Sequence, residues 1–150
     1  MINLGIIGCG QWGPNHVRNF SQLLGSRALM CADINEKRLK SMRETFRDIY
    51  PTHDHREILR HPKIDAVVIS TPTKTHYSLV KESLLAGKDV LCEKPLCTSL
   101  SEARELIKLA KKLKRVLMVR HVFLFNPGIR YLPAAIRNYS CARLYYMHSQ

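Results

Sequence analysis

A glycine-rich run near the start of the chain has the spacing of a phosphate-binding turn. An apolar stretch precedes it and a helical pattern follows it, and its residues are Gly8, Cys9, Gly10, Gln11, Trp12 and Gly13. In such a strand–turn–helix unit the first glycine allows the tight turn, the second lets the backbone approach a pyrophosphate, and the third permits close helix–strand packing. The helix N-terminus then faces the negative charge. These residues, apart from the cysteine, are predicted to bind a dinucleotide; the alternative is a glycine turn without a ligand.

A single carboxylate ends the next apolar run. Asp33 stands twenty positions beyond Gly13. A carboxylate there can accept hydrogen bonds from both hydroxyls of an adenosine ribose, and it would repel a 2′-phosphate. Asp33 could instead cap a helix that begins near Asn35, and the nearby Arg38 leaves room for NADP. The pattern favours NAD as the cofactor.

Two further sets of polar residues directly follow predicted strands. They are Ser70, Thr71 and Pro72, with His76 at the start of the next helix, and then Glu93 and Lys94. Ligands of open parallel sheets bind beyond the carboxyl ends of the strands, so both sets should line one crevice. A lysine there can bond a ribose or substrate hydroxyl and serve acid–base chemistry. The alternatives are a helix-start histidine without a role and an exposed surface lysine.

The elements that must position these residues alternate between short apolar runs and amphipathic helical patterns. Strands are predicted over 2–8, 27–33, 64–70, 89–93 and 115–121, with helices between them, a short helix around 55–59, a helix over 127–138 and a last strand over 142–149. This alternation is typical of βαβ units. The predicted fold class is therefore α/β, a Rossmann-type doubly wound parallel sheet.

Helical spacing also predicts which apolar residues face the core. In the first helix they are Val17, Phe20 and Leu24; in the helix capped by Ser99 or Ser101 they are Ala103, Leu106, Ile107, Ala110 and Leu113. Such periodicity is the main sequence signal for an amphipathic helix.

Composition bounds the class of protein. The chain has 150 residues, 45% of them hydrophobic, and lacks an apolar run approaching the roughly 18 residues of a membrane span. Its first residues show no charged segment or cleavage site, so no signal peptide is expected and the predicted location is cytoplasmic. The five cysteines are odd in number and have no Cys-x-x-Cys spacing, so we expect reduced thiols without disulfides or a metal site.

A formal net charge of +12 requires an explanation. Nucleic acid, a doubly phosphorylated small ligand and solvated helix faces are the three candidates. The basic residues are spread over two predicted helices and lack the interleaved aromatic residues of single-strand binders. Solvated faces are therefore favoured, and no nucleic acid partner and no membrane association are expected.

Taken together, these segments resemble the Gfo/Idh/MocA oxidoreductase family. The matching segments are 8–15, Asp33, 70–72 with His76, 87–96, and His121 with 125–130. The resemblance implies hydride transfer between nicotinamide and a hydroxyl carbon of a sugar or sugar nucleotide. It also implies that Lys94 holds the reacting hydroxyl and helps to move its proton, and that His121 lies near the substrate, although a histidine after a strand is as often structural.

The chain departs from the family pattern in its length. Members carry a second domain, with a mostly antiparallel sheet, that supplies most sugar contacts. We therefore expect a dinucleotide-binding domain over 1–121, followed over 122–150 by a crossing helix and the first strand of a truncated second domain. The alternative to a dehydrogenase is an NAD(H)-binding module without catalysis of its own. Apolar surface left exposed could drive self-association into a homo-oligomer.

Overall fold

A six-stranded parallel sheet forms the centre of the computed structural model, which describes residues 1–138. Its strands are β1 (Ile2–Ile7), β2 (Ser26–Ala32), β3 (Tyr50–Thr52), β4 (Ala66–Ile69), β5 (Asp89–Cys92) and β6 (Leu117–Val119). Their spatial order is β3-β2-β1-β4-β5-β6, and each neighbouring pair is parallel. The order therefore reverses beside β1, which places a ligand-binding switch point at the carboxyl ends of β1 and β4.

Helices within the first 120 residues connect the strands and cover both faces of the sheet. They are α1 (Gly13–Gln22), α2 (Glu36–Thr45), α3 (His55–Arg60), α4 (His76–Leu85) and α5 (Leu100–Leu113), with a 3₁₀ turn at Thr73–Thr75. A second 3₁₀ turn at Val122–Phe125 and helix α6 (Pro127–Asn138) follow the last strand. Asn35, Asp54 and Ser99 directly precede α2, α3 and α5 as their N-caps, and each side chain accepts a hydrogen bond from an N–H of its helix's first turn. The predicted doubly wound α/β architecture is confirmed.

The buried apolar residues form two clusters, one on each face of the sheet. One contains Ile7, Val67 and Ile69 together with buried residues of α3, α4 and α5. The other contains Leu4, Ile6 and Val68 together with buried residues of α1 and α2. Successive strand residues point to opposite faces, so a strand that is apolar throughout fits a sheet covered on both sides.

The chain divides into two compact units. The first, Met1–Arg120, contains the sheet and helices α1 to α5; the second begins at His121 and contains the turn Val122–Phe125 and α6. The assignment of separate functions to 1–121 and 122–150 stays a prediction. The strand predicted over 142–149, like Cys141, lies outside the described residues.

Three details differ from the sequence expectations. Leu24 is 99% exposed because α1 ends at Gln22, and Ile107 is 47% exposed although its spacing matched the core face.

Strand β3 was not predicted, because Tyr50–Thr52 is short and contains a proline. Among the strands of residues 1–138 it pairs with β2 alone, at the edge of the sheet, where a missing N–H is tolerated.

No helix within residues 1–138 is long and apolar enough to cross a membrane. The basic residues near the end of α5, namely Lys108, Lys111, Lys112, Lys114 and Arg115, are all exposed. These positions agree with charge carried on solvated helix faces.

The cap of α5 gives a direct test of the fold. Ser99 Oγ accepts the Glu102 N–H at 3.2 Å, whereas Ser101 lies inside the helix. Ser99→Ala should therefore lower the free energy of unfolding in urea by about 1 kcal/mol. Ser101→Ala, the matched control, removes only the 3.0 Å contact between the two hydroxyl groups and should lower it less; equal losses in both variants would contradict Ser99 as the cap.

Candidate functional site

A cavity of about 680 Å³ opens at the carboxyl ends of β1, β2 and β4. This is the switch point of the sheet, where ligands of open α/β proteins bind. The predicted site residues that line it are Gly8, Gly10, Gln11, Trp12, Asp33, Ser70, Thr71 and Pro72. The other predicted site residues, which do not line it, are Gly13, His76, Glu93, Lys94 and His121.

The turn after β1 is held between the two neighbouring strands. Gly8 has a φ of +97°, and its N–H donates to the Ala32 carbonyl at 2.8 Å. Ser70 Oγ donates to the Gly8 carbonyl at 2.7 Å. A Cβ on Gly13 would collide with that same carbonyl, so α1 can approach the turn this closely only with glycine at this position.

Gly10 faces open space instead of protein. A Cβ added there would meet only guanidinium atoms of Arg38, at 3.9 Å, so the side chain of any other residue would enter the cavity. The first turn of α1 contains no acidic residue and Trp12 makes no side-chain cap, so its N–H groups are not occupied by a local carboxylate. This cradle fits a pyrophosphate.

The carboxylate of Asp33 is buried at the end of β2. Its Oδ2 accepts the Cys9 N–H at 2.7 Å, and its Oδ1 accepts the Asn35 N–H at 2.9 Å. Arg38 Nη1 lies 3.4 Å from Oδ2. Asn35, and not Asp33, caps α2. Asp33 therefore supports the phosphate turn and presents a negative charge to the cavity beside a positive one.

The buried thiols show no sign of reactivity. A hydrogen bond with Cys31 and burial both raise the pKa of Cys9 far above its ordinary value. Burial raises the pKa of Cys92 to about 12. A protonated thiol is a poor nucleophile and metal ligand. Cys9, Cys31, Cys92 and Cys97 are free, and within residues 1–138 no group of three His, Cys, Asp or Glu side chains could hold a metal ion.

His76 joins the two loops beyond β4 and β5. Its side chain is buried, with Nε2 at 2.8 Å from the Thr71 carbonyl and Nδ1 at 2.8 Å from the Pro95 carbonyl. His76 thereby holds main chain on either side of the crevice; its predicted contact with the cofactor stays a prediction.

Lys94 and His121 occupy exposed positions. Lys94 lies on the turn between β5 and α5, directly after the buried Glu93. His121 begins the second compact unit. Their predicted catalytic roles stay predictions.

Sequence reasoning missed a network around Glu93. The Glu93 Oε1 atom lies 3.0 Å from His16 Nε2 and 2.9 Å from Arg120 Nη1, and the Arg120 guanidinium lies 4.2 Å from the centre of the Trp12 ring. The only sequence signal was the spacing of Trp12 and His16, four residues apart and hence on one helical face. The cavity-lining residues Lys74, His53, His55 and Glu82 were also missed.

Comparisons with known proteins agree with this geometry. Residues 2–121 match the model of the Gfo/Idh/MocA oxidoreductase family, described as an NAD-binding Rossmann fold. An uncharacterized oxidoreductase of Bacillus subtilis, YrbE, is 34% identical over 91% of this chain and 40% of its own length. The myo-inositol 2-dehydrogenase of Thermotoga maritima is 30% identical over 91% of this chain and 41% of its own length.

A solved structure shows the same fold. The 3-ketoreductase KijD10 of Actinomadura kijaniata, in complex with NADP and TDP-benzene, superposes with a TM-score of 0.84 at 27% identity. The match covers 91% of this chain and 42% of that one. The chain thus spans about two fifths of the length of the proteins it matches.

Two of the three glycines of the turn predict opposite mutational outcomes. Gly10→Ala should leave the thermal unfolding temperature near that of the unaltered chain but weaken NADH binding about tenfold, because the new methyl group enters the cradle. Gly13→Ala should instead lower stability by about 1–3 kcal/mol, because its methyl group overlaps the Gly8 carbonyl. Calorimetric titration with NADH and thermal unfolding measure the two effects; unchanged NADH affinity in Gly10→Ala would contradict the assignment of the cradle.

Proposed function

The chain belongs to the Gfo/Idh/MocA oxidoreductase family and carries its NAD-binding Rossmann domain; from this premise we propose that its protein is a dehydrogenase or ketoreductase of sugars. The proposed reaction moves a hydride between nicotinamide and a hydroxyl-bearing carbon of a polyol, sugar or sugar nucleotide. The observation that carries the proposal is the meeting of three features at one cavity: the glycine turn, the N-terminus of α1 and the buried Asp33 carboxylate.

Different residues of the cavity would bind different parts of the cofactor. The turn at Gly8–Gly13 and the N–H groups of α1 would hold the pyrophosphate. Asp33 would accept hydrogen bonds from the adenosine ribose, and Ser70, Thr71 and Pro72 form the wall at the end of β4. When bound, the nicotinamide supplies the hydride donor or acceptor.

Lys94 is proposed to bind the reacting hydroxyl through Nζ and to hold or release its proton. It follows β5, the neighbour of β4 on the side away from β2 and Asp33, and this position supports a role towards the nicotinamide half of the cofactor. Its exposed ammonium group is free to approach a substrate. His121 is proposed as a second contact with the substrate.

The substrate class is supported by the relatives. Those with a named activity act on inositol, and the ketoreductase KijD10 holds a TDP derivative beside NADP. A polyol or a nucleotide-linked sugar is therefore the proposed substrate of the whole protein. Because the chain spans two fifths of these relatives, the second candidate is an NAD(H)-binding module that lacks turnover by itself.

Cofactor choice tests the role of Asp33. Its carboxylate should reject a 2′-phosphate, whereas Arg38, 3.4 Å away, should attract one. Asp33→Asn should therefore shift the ratio of NADPH to NADH affinity towards NADPH by about tenfold in calorimetry. Asp48→Asn, at an exposed position, serves as the control. Absence of binding of NAD or NADH to the unaltered chain at millimolar concentrations would overturn the proposed function.

Turnover tests the role of Lys94. In the protein that carries the family's second domain, Lys94→Ala should lower kcat for a polyol or sugar nucleotide by about 10²–10⁴-fold, because the reacting hydroxyl loses the group that binds it and assists the transfer of its proton. The affinity for NADH should change by less than about twofold. Lys112→Ala on the exposed face of α5 is the matched control. NADH binding without turnover on any sugar would favour the binding module instead.

A further inference from the structure

We propose that Arg120 is a positioning residue that holds the cavity wall and the turn carrying Lys94 in one fixed arrangement. The inference rests on the proposed function, because it concerns how the nicotinamide end of the cavity is oriented towards Lys94. Arg120 does not itself line the cavity. It acts through Trp12 on one side and Glu93 on the other.

A single guanidinium group contacts two different elements. Arg120 Nη1 donates to Glu93 Oε1 at 2.9 Å, and its central carbon lies 4.2 Å from the centre of the Trp12 ring. The Arg120 main chain is itself fixed, since its N–H donates to the Cys92 carbonyl at 2.9 Å. The start of α1 and the end of β5 are therefore joined through one side chain extending from the end of β6.

Glu93 depends on this contact for its charge balance. The residue is 7% exposed, and a buried carboxylate is stable only when it is paired and hydrogen-bonded. Its second partner is His16, whose pKa is lowered by burial and, to a smaller degree, by the charge of Arg120, despite the opposing effect of Glu93. Neutral His16 gives the Glu93 carboxylate a hydrogen bond but no charge, so the positive charge that balances Glu93 comes from Arg120.

Trp12 depends on Arg120 for its orientation. The indole is 42% exposed and lines the cavity, and its residue precedes the first residue of α1. A planar guanidinium stacks on an indole face, which an ammonium group does not reproduce. The stacked guanidinium thus keeps the ring against the wall of the cavity.

Loss of Arg120 should weaken the binding of only one half of the cofactor. Asp33, at the end of β2, is on the adenosine side, whereas Glu93 and Lys94 follow β5 on the other side of β1. Loss of Arg120 leaves Glu93 with a neutral partner alone and frees the ring of Trp12. The nicotinamide half should therefore lose its preformed site while the adenosine half keeps its own.

The test compares NADH with ADP-ribose, which lacks nicotinamide. In calorimetry, Arg120→Ala should weaken NADH binding about tenfold and ADP-ribose binding less than about twofold. Arg120→Lys keeps a charge for Glu93 but not the stacking, so its NADH affinity should be intermediate. Arg104→Ala, at an exposed position of α5, is the control and should match the unaltered chain.

Two spectroscopic measurements separate positioning from general destabilisation. Trp12 is the single tryptophan of the chain, so tryptophan emission reports on this ring, and it should shift to longer wavelength in both Arg120 variants. The titration midpoint of His16 in NMR spectra should rise in Arg120→Ala, because a charge that opposed protonation is gone while Glu93 remains.

The outcomes are distinct. Unchanged NADH affinity in folded Arg120→Ala, or equal weakening of NADH and ADP-ribose, would overturn this inference alone. If Arg120→Ala does not fold, Arg120→Lys carries the same comparison and decides it. Failure of the unaltered chain to bind NADH would overturn the proposed function and this inference with it.

Discussion

Asp33 Oδ2 accepts the Cys9 N–H at 2.7 Å, and the rest of the site depends on this hydrogen bond. Gly8 is fixed to β2 on one side of the turn and to Ser70 on the other. Because the main chain of the turn is held by buried partners, its shape does not require a ligand, and little ordering entropy remains to be lost when one binds. Preorganisation of this kind is what a Rossmann turn contributes to binding.

Charge in the crevice is arranged in compensated groups. Asp33, after β2, lies beside Arg38, and Glu93, after β5, is shared by His16 and Arg120. The buried Glu93 carboxylate makes removal of either of its partners costly, so it couples the ends of β5 and β6 to α1. His76 also joins two strand ends, since its ring nitrogens lie within hydrogen-bond distance of carbonyl groups beyond β4 and β5. Side-chain contacts therefore join the carboxyl ends of β4, β5 and β6.

Much of the fold could be predicted because its signals are local. Apolar runs marked five of the six strands, and Gly8, Gly10 and Asp33 were assigned to one site before any contact was known. Strand β3 escaped prediction because its three residues acquire strand character only by pairing with β2. Ile107 matched the core spacing, yet α5 buries a narrower face than the pattern allows, which depends on what packs against the helix.

By itself, then, the order of residues determined the α/β class, the glycine turn and the acid that follows it, because each rests on backbone geometry and short-range periodicity. Only tertiary structure decided which polar side chains meet. Glu93 is 77 positions from His16 and 27 from Arg120, and no local rule relates such positions. The parallel sheet brings them together, since it collects the carboxyl ends of strands far apart in the chain at one edge.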